Sequence, residues 1–264
     1  PSTQSSQTNS TTTHQQMKDG GVVVPETVKT ELIDLEEVTF KNDITELVVD
    51  SQLLIKKIST TGTDLNTTEN YKSHSNKIIL VKGLNSIVPN FQFAKVDPNR
   101  YKITDSENGL SGIIELDDKG LLAINFISNE AFIPHIELSS EMITNDDDDR
   151  KSNSFVYYGD GLEQIKVGEE DTDYAEYKFK WIGLDHNYSL YGIVVDPNKL
   201  SKIEFKKNTL VYKYLKPTNE FNMKAIYTRK NYDSLTRLGN DLNKAVDFGM
   251  WAIIAVPILR GLQY

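Results

Sequence analysis

Between residues 22 and 228 the chain is a succession of short β-branched and aromatic runs, each cut off by a turn signal. That rhythm leaves few folds open. Leu47 to Ile58 carries Val48, Val49, Leu53, Leu54 and Ile55, and Lys77 to Val81 is a compact apolar run ended by Lys82-Gly83. Phe91 to Val96 alternates with a period of two and stops at Asp97-Pro98-Asn99. Gly112 to Leu116 and Leu121 to Ile127 flank Asp117-Asp118-Lys119-Gly120, a hairpin with glycine at the turn. Phe132 to Leu138 is a further run, interrupted by Pro134. Ser154 to Tyr158, Tyr177 to Ile182, Tyr188 to Val195, Leu210 to Leu215 and Phe221 to Tyr227 complete the series. In the last of these Phe221, Met223, Ala225 and Tyr227 share one face of a strand. There is no internal repeat and no alternation of strand with helix. The pattern predicts a mainly β fold, a large antiparallel β-sandwich over residues 22–230.

After Tyr227 the period changes. Leu235, Leu238, Leu242 and Val246 fall at i, i+3, i+7 and i+11, a helical stripe. Asp233 or Ser234 is suited to cap its start, and Gly239 breaks it, so residues 231–264 read as short C-terminal helices. They lead into the most apolar stretch of the chain. From Phe248 to Leu259 the only charged or hydrogen-bonding side chain is the indole of Trp251. Those 12 residues fall short of the roughly 20 that a helix needs to cross a bilayer. On a helix Phe248, Trp251, Ala255, Ile258 and Leu262 form one face, and Gly249, Ala252 and Val256 a second face of small residues. Arg260 and Gln263 supply a polar edge, Trp251 and Tyr264 suit the headgroup level, and Pro257 bends the helix. This pattern alone fits a last core helix and a membrane-surface helix equally.

The first 16 residues are almost wholly Ser, Thr, Gln and Asn. They cannot bury enough apolar area to offset the entropy of ordering, so residues 1–21 are expected to form a flexible polar linker. The chain begins with Pro1 rather than Met and is expected to be a fragment or a processed product. With no cysteine there are no disulfides and no thiol chemistry, which suits the cytoplasm and the bacterial periplasm alike. The formal net charge of −9, with lysines scattered among acids, argues against nucleic acid as a partner.

The residues of catalysis are thinly represented. No Gly-x-Ser-x-Gly and no glycine-rich phosphate loop ending in Lys-Ser/Thr occurs. The histidines are His14, His74, His135 and His186, and no pair has zinc-ligand spacing. Two acidic loops, Asp146 to Asp149 and Glu169 to Asp173, lack the alternating oxygens and glycine turn that calcium needs and read as solvated loops. Neither a metal nor a cofactor is expected. One alternative chemistry remains. Sugar-ring epimerases on large β-sandwiches use two histidines and a glutamate as acid and base, and here His135 and His186 would fill the histidine roles. A carbohydrate-handling sandwich accounts for the β body and leaves the apolar tail unexplained.

The C-terminal third has an order of parts that resembles the periplasmic domain of the YidC membrane-protein insertases of the bacterial inner membrane. Lys180-Trp181 through Asp196-Pro197 is similar to a family segment in which a Trp opens a strand and an apolar strand ends near a Pro. Phe221 to Tyr227 resembles the strand before the family's short helices. Tyr232 through Val246-Asp-Phe-Gly-Met-Trp251, with Pro257 beyond, resembles the link into the family's amphipathic membrane-surface helix. Ser154 to Gly161 is a weaker match, and Phe40-Lys-Asn-Asp43 stands where many members carry a Gly-Gly turn.

The resemblance implies a sandwich of the supersandwich type with no catalytic residues. It implies a multi-pass parent protein, with one transmembrane helix before Pro1 and the insertase core after Tyr264. It places the chain on the periplasmic side of the inner membrane, with the membrane surface, Sec translocon components and nascent inner-membrane proteins as partners. It favours the interfacial reading of the tail, where Phe248, Trp251, Ile254, Ile258 and Leu262 would contact the bilayer or the core domain.

Overall fold

The computed structural model describes residues 37–60, 76–140, 153–168 and 177–246, with short strands outside those ranges. The early strands are β1 (Thr12–His14), β2 (Glu26–Val28), β3 (Leu32–Ile33), β4 (Glu37–Lys41), β5 (Thr45–Asp50), β6 (Ile55–Thr60) and β7 (Thr63–Asn66). Next come β8 (Asn76–Lys82), β9 (Asn85–Ile87), β10 (Gln92–Asp97), β11 (Arg100–Asp105), β12 (Leu110–Leu116), β13 (Leu122–Ser139) and β14 (Ile143–Thr144). The series closes with β15 (Asn153–Tyr158), β16 (Leu162–Lys166), β17 (Thr172–Asp173), β18 (Trp181–His186), β19 (Ser189–Val194), β20 (Ser201–Lys206), β21 (Thr209–Tyr214) and β22 (Thr218–Arg229). Helix α1 (Tyr232–Leu238) and a 3-10 helix (Leu242–Ala245) follow.

Ten strands run in one path, β16-β15-β18-β19-β22-β13-β12-β11-β10-β3, each antiparallel to its neighbour. The 18-residue strand β13 carries the chain out of this layer. Its first half pairs with β12 and β22; the register then shifts between Ile127 and Phe132, and its second half pairs with β8 and β21. Pro134, which has no N–H to donate, lies one residue before the β21 ladder begins at His135. Strands β9, β8, the end of β13, β21, β20 and β17 thus form part of a second layer. The five-stranded sheet β14-β7-β6-β5-β4 lies beside them, tied by the Ile55 N–H donating to Asn76 Oδ1 at 3.2 Å.

The layers meet through large side chains. Phe155 and Tyr157 of β15 reach Phe205 of β20, with ring centroids 5.9 and 6.2 Å apart. Phe40 of β4 meets the edge of Tyr101 of β11 at 5.3 Å, and within the ten-stranded path Phe126 of β13 stacks on its cross-strand neighbour Phe221 of β22 at 4.9 Å. These rings belong to one continuous core that draws residues from every sheet of the sandwich. Burial of this kind contributes roughly 1.5–3 kcal/mol per large apolar side chain, which is why alternation of apolar residues sets each strand's face. The fold is mainly β, a large antiparallel sandwich with short C-terminal helices, as the sequence pattern predicts.

Several elements differ from the sequence expectation. Leu47 to Ile58 is not one run: β5 and β6 form a hairpin. Asp50 Oδ1 accepts from the N–H groups of Gln52 and Leu54 at 2.9 and 3.0 Å, and Leu53 takes a positive φ of 61°. Tyr177 makes only an isolated bridge to Ser201, and the strand there begins at Trp181. Strands β11 and β20 are additional; each hides two apolar residues between charged ones, Tyr101 with Ile103 and Ile203 with Phe205. Thr12–His14, read as linker, pairs with Glu26–Val28, a ladder of backbone bonds that needs no apolar side chain. Helix α1 is capped by Asn231, whose Oδ1 accepts from Asp233 and Ser234 N–H at 3.0 and 3.2 Å, so the cap precedes both expected residues.

The hairpin between β12 and β13 bears out the role expected of Gly120, whose φ is +85°. A Cβ there would also sit 2.5 Å from Thr45 Oγ1. Gly120→Ala is therefore expected to lower stability by about 1–3 kcal/mol in urea unfolding. Gly161→Ala, which meets nothing within 4 Å, is expected to stay within about 0.5 kcal/mol of the parent. Equal effects at the two positions would contradict the turn geometry.

Candidate functional site

The tail residues singled out for membrane contact, Phe248, Trp251, Ile254, Ile258 and Leu262, lie outside the described residues. What the structure does define is the platform from which the tail departs. Strands β18 and β19 are buried on both faces. Ile182, Leu184, Tyr191 and Ile193 belong to the core between the layers. Trp181 and Leu190 face the opposite way, into a second cluster with Val156, Leu235, Leu242 and Ala245. The two short helices thus cover the outer face of the sheet, and the near-continuous apolar run Leu190-Tyr-Gly-Ile-Val-Val195 is the sequence trace of that double burial.

Local chemistry fixes the helices. Gly239, Asn240 and Asp241 are successive residues of positive φ, at 76°, 56° and 60°, and they turn the chain from α1 into the 3-10 helix. Asn and Asp tolerate this conformation better than other side chains with a Cβ. The Asp241 carboxylate does not cap its helix; it accepts from Lys180 Nζ at 2.5 Å. Lys180 also lies 5.3 Å from the centre of the Tyr158 ring, which stacks on Trp181 with centroids 6.0 Å apart. The hydrogen bond that Lys180 donates to Asp241 holds its ammonium above its ordinary pKa range. Both partners are about two-fifths exposed, so water and salt screen the attraction and the apolar contacts dominate. Leu242, fully buried, packs beside Gly192, where a Cβ would lie 3.5 Å from the leucine Cδ2.

The remaining outer face of the ten-stranded path has no such cover among the described residues. Val96 and Ile127 are 57 % and 60 % exposed and line a shallow groove of about 750 Å³ floored by Gly112 and Phe126. Arg100, Lys102, Glu115 and Glu220 surround it. Sequence reasoning missed this groove, because alternation marks an outward residue without saying whether anything covers it.

His135 and His186 occupy different surroundings. His135 is half-buried on β13, opposite Lys213, on the face of that strand away from buried Ile136 and Leu138. His186 is buried on β18, and strand alternation puts it on the side of Ile182 and Leu184. They do not share a face of one sheet. Among the described residues no group of three or more His, Asp or Glu is arranged to hold a metal ion. No helix among the described residues is long and apolar enough to cross a membrane. Neither a protein-family model nor a curated protein matches the chain.

Two predictions follow from this geometry. Truncating Leu242 to Ala is expected to cost about 2–5 kcal/mol in the unfolding of the whole domain, because the helices fold as part of the sandwich. A loss confined to the helices, with the main transition unmoved, would contradict that coupling. Burial pushes the His135 imidazole below its ordinary pKa range, and the neighbouring Lys213 adds to the effect. The unfolded chain therefore takes up this proton first as pH falls below about 6.5, and the folded state loses stability until its own pKa is passed. His135→Gln should lose less stability than the parent between pH 7.5 and 5.5; an identical loss would contradict the assignment.

Proposed function

We propose that the chain is the periplasmic domain of a YidC-type membrane-protein insertase, a non-catalytic module that seats the insertase core and docks partners while inner-membrane proteins are inserted. The family resemblance over residues 177–264 supports this reading. So does the platform, which is the observation that carries it. Trp181, Leu235, Leu242 and Ala245 hold the two helices against the sheet, and Val246 packs against the same cluster. The apolar segment Phe248 to Leu259 begins two residues later. A rigid platform followed by an amphipathic segment suits a domain whose position over a bilayer matters. A carbohydrate-handling sandwich leaves the apolar segment unexplained.

In this reading the work is done by binding. The tail residues Phe248, Trp251, Ile254, Ile258 and Leu262 contact the bilayer surface or the insertase core, and the supersandwich body offers its uncovered outer face to Sec translocon components and nascent membrane proteins. The domain lies on the periplasmic side of the inner membrane and uses no cofactor. The gain for a client comes from lowering the cost of moving polar segments into lipid, which needs no covalent step.

The test is co-flotation of the domain with liposomes. The parent protein is expected to float with them, and Trp251→Glu to reduce the bound fraction at least about tenfold, since a charge on the apolar face is costly to bring into the interface. Trp181 is buried and unaffected, so its fluorescence reports that the fold is intact. Equal flotation of the two proteins would contradict the proposal.

A further inference from the structure

A second cavity, of about 370 Å³, lies beside the platform between α1, the end of β22 and the turns that precede β5 and β13. Its composition differs from that of the chain as a whole. Lys119, from the β12–β13 hairpin, and Arg237, from the last turn of α1, both line it. Among the described residues neither has a carboxylate within ion-pair distance. The guanidinium makes one long contact, Nη2 to Ser234 Oγ at 3.5 Å, and five donors in a planar fork are far from satisfied by it. The hydroxyls of Thr60, Thr228 and Ser234 line the same cavity. Asp118 is the only carboxylate among its walls.

The geometry points to a phosphate ester as the ligand of this cavity, and specifically to the headgroup of an anionic glycerophospholipid. Two cations and the hydroxyls among the walls match the acceptor-only oxygens of a phosphodiester, and Arg presents its donors in the paired geometry that phosphate accepts. The walls have an apolar side as well. Ile44, 45 % exposed on its turn, and Leu238 stand at the cavity, where the glycerol end of an acyl chain would find cover. The lone Asp118 repels a doubly charged monoester more than a singly charged diester, which favours the diester. On a chain of net charge −9, a locally cationic cavity cannot be put down to general basicity. The source of the phosphate as lipid rests on the membrane-seated reading above, since the cavity borders the helix that leads to the tail. The anion chemistry does not rest on it.

Titration calorimetry of the whole chain tests both parts in solution, without vesicles. The ligands are glycerol 3-phosphate and a short-chain phosphatidylglycerol kept below its micelle concentration. Saturable binding of both is expected, tighter for the lipid and weakened by added salt. Lys119→Gln with Arg237→Gln should weaken both at least about tenfold, and Arg237→Lys, which keeps the charge without the paired donors, should weaken both by a smaller factor. Near-UV circular dichroism verifies that these exposed substitutions leave the fold unchanged. Absence of saturable binding, or binding indifferent to the double substitution, overturns the site. Phosphatidylglycerol bound no more tightly than glycerol 3-phosphate overturns the lipid source. Because no bilayer is present, this site can fail while tail-dependent flotation holds, and the reverse.

Discussion

A ten-stranded antiparallel path has two faces to take out of water, and the way this chain covers them decides everything else about it. The inner face packs against a second layer made from the far half of β13 with its neighbours and from the five-stranded sheet. Among the described residues the outer face is covered around β18 and β19, by two helices too short to be stable alone. Their stability comes from the apolar face they share with Trp181 and Leu190. The C-terminal helices are thus held by the sheet, and the sheet's most buried strands are closed off by the helices.

Strand β13 makes the arrangement possible. One chain segment serves two sheets, so the layers cannot slide without breaking ladders on both sides. The register shift between Ile127 and Phe132 marks the bend, and the exposed stretch from Asn129 to Ala131 lies within it. The aromatic contacts on either side, Phe126 with Phe221 and Phe155 with Phe205, belong to different ends of the same core. A change in either half of β13 is felt in both layers for that reason.

Much of the fold was legible in the residues, and the failures have physical causes. Apolar runs cut off by turn signals located β8, β10, β12, β15, β19 and β21 to within about two residues and β22 to within about three, because each run meets the core. The β5–β6 hairpin was hidden because Val48, Val49, Leu53, Leu54 and Ile55 keep the turn apolar; its only marker is Asp50, whose carboxylate organises the backbone after it. Strands β11 and β20 carry charges at alternate positions, and their two buried residues each were too few to stand out. Gly239 announced the break between the helices, yet the capping role passed to Asn231, which lies before the apolar stripe. At the candidate site, the Leu-Tyr-Gly-Ile-Val-Val run signalled burial on both faces without naming the covering element. The cavity holding Lys119 and Arg237 had no signature at all, since its walls come from five separate parts of the chain.

The unity of helices and sheet is tested most directly by native-state hydrogen exchange. If the helices belong to the sandwich's cooperative unit, amides of Leu235, Gly239 and Leu242 should open with nearly the same free energy as those of Ile182 and Ile193, and rise and fall with them in denaturant. Exchange of the helical amides at rates close to those of an unfolded chain, while β18 and β19 remain fully protected, would show that the helices are an appendage and that the platform does not exist.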